Sequence, residues 1–333
     1  MKSKIQIINI LMLLASVLTI PAHSFAQSAP VTETGCQEGI SRAIVNVSAA
    51  YLRLEPDYES PLETQELMGM VVTVLERQRY WVKVETDQPY TAWVNEKALH
   101  FVDEQQLADY IAEDKYVTVA SWAKVMDAPR KGSAVCDLVW GDELRLGHEK
   151  PKAGCLHVLL PDGREGWVPS SCLMRKDEWL KSCEGMDTET KRMAVVSWAL
   201  DMLGTPYLWG GMSTKGFDCS GLVRLAYMSV GIKLPRNASA QYAASQDVPC
   251  CQGEGECAGE PHWDLSALKP GDLLFFGSLR EDGSPRITHV GIYIGGGKMV
   301  HASQVVRVNS IVQGEQDCYE NMHRWLRTGR LLE

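Results

Sequence analysis

Cys219 stands in the run Asp218-Cys219-Ser220-Gly221, and the residues behind it, Leu222, Val223, Leu225, Ala226 and Val230, recur with helical spacing. That pattern puts the cysteine in the first turn of a helix. Unpaired amides and the helix dipole favour negative charge there, so the thiol is expected to have a lowered pKa and a larger thiolate fraction. Taken alone, the position fits a buried or disulfide-bonded cysteine equally well.

Two histidines supply what a cysteine nucleophile lacks. The segment Ile287 to Ala302 has the alternation and glycine punctuation of a β-hairpin. With Gly295-Gly296-Gly297 as its loop, the numbers of paired positions sum to 592. His301 then faces Gly291, and His289 is its diagonal neighbour on the same face, roughly 7–8 Å away by Cα. Val290, Ile292, Ile294 and Val300 point the other way, into a core. A loop one residue longer or shorter would put the histidines on opposite faces. In the first register, His289 takes the thiol proton and later returns it to a leaving amine, while His301 holds His289 in the useful tautomer. Either histidine alone reads as a strand residue satisfied by backbone. All three residues together read as a triad.

Residues so far apart need a scaffold. From Thr188 to Leu203 the apolar residues Met193, Val196, Ala199, Leu200 and Leu203 predict an amphipathic helix. A glycine- and aromatic-rich segment follows, then the Cys219 helix, then glycine-punctuated strands. This order suits a compact α+β domain. Upstream lies an internal repeat, in which Trp93 and Trp167 are 74 residues apart, as are Leu99 and Leu173. Each copy consists of short alternating runs broken by turn residues, the pattern of a small all-β barrel. Asp103 to Asp114 predicts a short connecting helix.

The copies resemble bacterial SH3-like domains. The segments Tyr207-Leu208-Trp209-Gly210-Gly211, Phe217-Asp218-Cys219-Ser220-Gly221, Leu268 to Phe276 and His289 to Ile294 resemble the NlpC-type cell-wall cysteine peptidases. The fold class expected is therefore α+β, with two small N-terminal SH3-like β-barrels followed by a papain-like α+β cysteine peptidase domain. The expected division is 1–26 signal peptide, 40–103 first barrel, 115–175 second barrel and 188–332 peptidase domain. The resemblance implies a triad of Cys219, His289 and His301. It extends to the muropeptide-trimming subgroup, which cuts between γ-D-glutamate and the diamino acid of peptidoglycan stem peptides. That implies that Asp218 pairs with a free substrate amine, while Tyr207 and Ser220 line the site, and an acid of the first barrel, Glu55 or Asp57, is a further candidate. Asp218 as a plain helix N-cap and Tyr207 as a packed aromatic are the alternatives. Pro235-Arg236 and Gln241 also match the family, whereas Asn237 and Ala238 depart from it.

The bulk properties agree with an exported protein. Lys2 and Lys4 precede an apolar run, and Ser24-Phe25-Ala26 offers a small–x–small cleavage site. The run is short of the ~20 residues of a spanning helix, so periplasmic or extracellular localisation without stable membrane insertion is expected. The 333 residues carry a net charge of −9, which disfavours nucleic acid as a partner. Ten cysteines are tolerable in an oxidising compartment. The insertion Asp247 to Asp264, with Cys250, Cys251, Cys257 and His262, fits a disulfide-stapled loop better than a zinc site, because adjacent cysteines seldom serve one tetrahedral ion. No metal or cofactor is expected. Oligomeric state is not encoded legibly. Acyl transfer, endopeptidase action on intact wall, and a catalytically inert wall-binding module are the rival functions.

Overall fold

The β-branched and aromatic runs of the repeat pair into two antiparallel sheets of seven strands, seen in a computed structural model that describes residues 42–87, 90–249 and 264–333. In the first sheet the spatial order is Leu62–Leu67, Ala49–Arg53, Thr91–Asn95, Trp81–Glu85, Val71–Gln78, Arg42–Val45 and Leu99–Val102. The second has Ala134–Val139, Trp122–Met126, Glu165–Pro169, Cys155–Leu159, Glu143–Leu146, Lys115–Thr118 and Leu173–Arg175. Strand for strand the two orders are the same, so the repeat read from tryptophan spacing is a repeat of topology. Each sheet closes over its own small core, Ala43, Leu52, Val74, Val84 and Val94 in one, and Ala123, Leu138, Leu144, Val158 and Val168 in the other. Between them runs helix α1 (Glu104–Ala112), started by a capping box of Asp103 and Gln106.

Helices α2 (Lys176–Glu184) and α3 (Thr188–Asp201) lead into the second half of the chain. The buried face of α3 differs from the expected one. Val195, Val196 and Ala199 are buried with Arg192 and Trp198, whereas Met193 and Leu203 are half exposed. The phase is set by Arg192, which lies in the interior and donates to Asp272 Oδ1 (3.2 Å) and to Pro270 O (3.1 Å). An amphipathicity count treats such an arginine as surface.

Helix α4 (Cys219–Met228) packs against α3 and a six-stranded antiparallel sheet, and α5 (Ala238–Ala244) follows it. The sheet order is Gln246–Val248, Trp325–Arg330, Leu273–Leu279, Pro285–Gly295, Lys298–Ser303 and Val305–Ser310. On one face Leu222, Val223 and Ala226 meet Phe275, Val290, Ile292 and Val300. The other face is covered as well, by Tyr319, Trp325 and Ile311 over Phe276, Tyr293 and Met299. A helix buried on every side, as α4 is from Cys219 to Tyr227, belongs at the centre of a domain.

The first barrel is built into this half. The strand Leu62–Leu67 lies against the turn that precedes α4: Gln65 Oε1 accepts from Met212 N (2.7 Å), and Gly210 sits so close to Leu62 that a Cβ would approach its carbonyl to 2.9 Å. Gly210 also has a φ of +72°, which a side chain would disfavour. The two barrels meet through Met68 N, which donates to Asp142 Oδ1 (3.0 Å), and Glu143 N, which donates to Met68 O (3.0 Å). The segment 1–26 and Cys36, Cys250, Cys251, Cys257 and His262 lie outside the described residues.

Candidate active site

The sequence starts α4 abruptly. Asp218 is its N-cap, with Oδ1 accepting from Gly221 N at 2.7 Å. Gly221 allows the close approach: an added Cβ would collide with Gly211 O. Cys219 is therefore the first helical residue, nine-tenths buried, with its Sγ against the amides of Val290 and Ser220. Those amides and the Arg236 guanidinium favour thiolate, but burial and the Asp218 carboxylate outweigh them and push the thiol up to about 12. The expectation of a lowered thiol pKa from the helix terminus thus gives way to desolvation.

The hairpin holds the register that the sequence suggested. Ile292 pairs with Val300 and Tyr293 with Met299. The turn is tighter than a three-glycine loop, because Gly295 pairs with Lys298 through a bulge and only Gly296 and Gly297 lie outside the strands. His289 and His301 share a face, and His289 Nε2 lies 2.7 Å from His301 Nδ1. Tyr319 backs both rings, with centroids 5.6 Å from His289 and 4.9 Å from His301. Burial, then the neighbouring ring and Arg307, push His289 down to about 3, and burial pushes His301 down to about 4. Both imidazoles are neutral at rest.

Tyr207 and Ser220 lie beside Asp218. Arg236 grips it in bidentate fashion, Nη2 to Oδ2 at 2.6 Å and Nη1 to Oδ1 at 3.0 Å. Ser220 Oγ donates to Asp218 Oδ1 (3.0 Å) and accepts from Arg236 Nη1 (3.1 Å). Oδ1 is thus saturated, while Oδ2 has one lone pair over. The half-buried Tyr207 lies near both Cys219 and Asp218, its phenol raised to about 12 by burial first and then by those two groups. Glu55 and Asp57 lie in the exposed turn between the first barrel's strands, where Asp57 Oδ1 accepts from Glu59 N. From the barrel, Thr64 Oγ1 accepts from Arg236 Nε at 2.8 Å.

Three participants carried no signal of their role in the sequence. Thr64 is far upstream, and Asn309 and Tyr319 pack against the histidine pair. Asn309 Oδ1 lies 2.9 Å from His301 Nε2. It lies on the strand Val305–Ser310, and only the fold shows what it faces.

Residues 204–325 match the model of the NlpC/P60 family. The chain carries an NlpC/P60 domain. Residues 52–99 match the bacterial dipeptidyl-peptidase Sh3 domain. A relative from Bacillus cereus, gamma-D-glutamyl-L-lysine dipeptidyl-peptidase, is 29% identical over 75% of this chain and 70% of its own length. Dipeptidyl-peptidase 6 of Lysinibacillus sphaericus is 29% identical over 81% of this chain and 91% of its own. The crystal structure of an NlpC/P60 family protein from Bacillus cereus superimposes with a TM-score of 0.66, at 24% identity, over 88% of this chain and 100% of that one. The fold is accordingly α+β, an SH3-like β-rich N-terminal region followed by an NlpC/P60 domain, and the enzyme class is cysteine peptidase.

Proposed function

We propose that the chain cleaves the γ-D-glutamyl–L-diamino acid bond of peptidoglycan stem peptides, releasing L-Ala-D-Glu from fragments whose N-terminus is free. The observation that carries this reading is the contact of the first barrel with the nucleophile's turn, Gln65 to Met212 and Thr64 to Arg236. A barrel wall at that place limits how far a substrate extends beyond the nucleophile, which favours short fragments over continuous wall. The names of the relatives from Bacillus cereus and Lysinibacillus sphaericus point the same way.

In this reading Cys219 Sγ attacks the scissile carbonyl as its proton passes to His289, which His301 orients. The free N–H of Cys219, at the start of α4, faces the developing oxyanion. Collapse expels the diamino acid's amine, protonated by His289, and leaves a thioester that water hydrolyses with His289 as base. Asp218 Oδ2, through its remaining lone pair, and the Tyr207 hydroxyl bind the substrate ammonium. Ser220 holds Asp218 in place. No step calls for a metal or cofactor. The division 1–26, 40–103, 115–175 and 188–332 belongs to the same proposal, with residues 1–26 directing export. Among the described residues no helix is long and apolar enough to cross a membrane.

Mass spectrometry of L-Ala-γ-D-Glu-diamino-acid peptides, free and N-acetylated, tests the reading beside Cys219→Ala. Release of L-Ala-D-Glu from the free peptide alone, lost in the variant, is expected. Equal cleavage of the blocked peptide would make the enzyme a wall endopeptidase and remove the role given to Asp218.

A further inference from the structure

We propose that Asn309 is a positioning residue that sets which nitrogen of His289 receives the thiol proton. The inference rests on the catalytic roles given to Cys219, His289 and His301, and it adds a fourth member to them.

It begins at a backbone carbonyl. Asn309 Nδ2 donates to Asp317 O at 2.8 Å. A carbonyl only accepts, so the amide cannot turn over without facing oxygen to oxygen. Oδ1 of Asn309 is thereby aimed at His301 Nε2, 2.9 Å away. Because Oδ1 also only accepts, His301 must carry its proton on Nε2. His301 is completely buried, and the charged groups near it, Arg307 and Glu320, are of opposite sign. A neutral ring with Nε2 protonated has a bare Nδ1. That atom accepts from His289 Nε2 at 2.7 Å, so His289 is protonated on Nε2 and bare on Nδ1. The free lone pair of the pair thus belongs to His289 Nδ1, the atom left to take the proton of Cys219.

Each link fixes the next, and the first is main chain. On attack the Sγ proton moves to His289 Nδ1, Nε2 keeps its proton on His301 Nδ1, and Nδ1 later gives its proton to the leaving amine. Without Asn309, His301 Nε2 has no fixed acceptor, and the ring is free to carry its proton on Nδ1 instead. His289 would then be forced to accept on Nε2 and carry its own proton on Nδ1, the wrong tautomer for a base. A bare His301 is also a weaker partner for the imidazolium formed on attack.

Asn309→Leu and Asn309→Asp separate positioning from packing. Three readouts serve: kcat and KM on the free-amine stem peptide, the pH dependence of Cys219 alkylation by iodoacetamide, and imidazole 15N shifts of the resting enzyme. Leucine is expected to lower kcat roughly 10–100-fold, the usual size of an outer-shell loss, with KM unchanged and mixed tautomers at His289. Aspartate keeps the acceptor toward His301 but sets an oxygen where Nδ2 donated to Asp317 O, so it is expected to restore part of kcat and, by its charge, to move the acid limb of the alkylation profile upward. A wild-type His289 protonated on Nδ1 would overturn the proposal, as would a folded leucine variant with unchanged kcat and alkylation profile. Should the leucine variant fail to fold, the aspartate profile decides: an unshifted acid limb refutes. Alkylation and 15N shifts need no substrate, so they test the relay even where no stem peptide is cleaved.

Discussion

Methionine in place of Arg236 would remove five hydrogen bonds at once from the start of α4: those to Thr64, Ser220, Gly211 O and both oxygens of Asp218. The volume is largely conserved, so the perturbation is electrostatic. Asp218, 9% exposed, would keep only Gly221 N and Ser220 Oγ as donors. Removing one partner of a buried ion pair costs roughly 3–5 kcal/mol, mostly for the orphaned charge. That is a large share of the roughly 5–15 kcal/mol that holds a domain together. Urea titration followed by tryptophan fluorescence measures it, since Trp198 lies edge-on to Phe217, 6.0 Å away and one residue before Asp218. Adding Asp218→Asn removes the orphaned charge while keeping a good N-cap. The double variant is expected to recover more than half of the loss. If it proves no more stable than Arg236→Met alone, the cost lies in packing or in the Thr64 contact, and the ion pair does not have the weight assigned to it.

Two further outcomes are expected. Burial lifts the Glu66 carboxyl to about 7, against the pull of Arg224 and with a push from Asp87. A group whose pKa rises on folding stabilises fully below its unfolded pKa, and that contribution is lost as pH climbs through the folded value. Glu66→Gln should therefore gain stability over the wild type between pH 4.5 and pH 7, by roughly 3 kcal/mol at most, and a gain equal at pH 4 and pH 8 in chemical denaturation would refute the assignment. Gly221→Ala must push its Cβ into Gly211 O, so a loss of roughly 1–3 kcal/mol and slower alkylation of Cys219 are expected. An unchanged urea midpoint would show that the turn yields.

What the sequence revealed follows from which forces are local. Alternation and turn residues are local, and they located the duplicated barrels, the helix behind Cys219 and the pairing of Ile292 with Val300. The phase of α3 escaped, because Arg192 is buried only by virtue of Asp272, 80 residues away. The thiol's environment escaped for the same reason: the helix terminus is visible in sequence, whereas the desolvation that outweighs it comes from the packed sheet. Asp218 illustrates a third case. Its N-cap role and its place beside Cys219 were both legible, but nothing local shows that Arg236 supplies two of the four hydrogen bonds it accepts.

The contact between Thr64 and Arg236 spans 172 residues of chain. Closing so long a loop is slow and entropically costly, so the surroundings of Cys219 are among the last things to assemble. Synthesis runs from the N-terminus, and the strand carrying Thr64 and Gln65 is complete long before Cys219 is made. The barrel therefore acts as a template already in place, on which the later half of the chain settles. A chain still being made, or cut short before Pro285–Gly295, holds a thiol without the histidine pair, and the proposed power to cut arrives only once both later strands are in place.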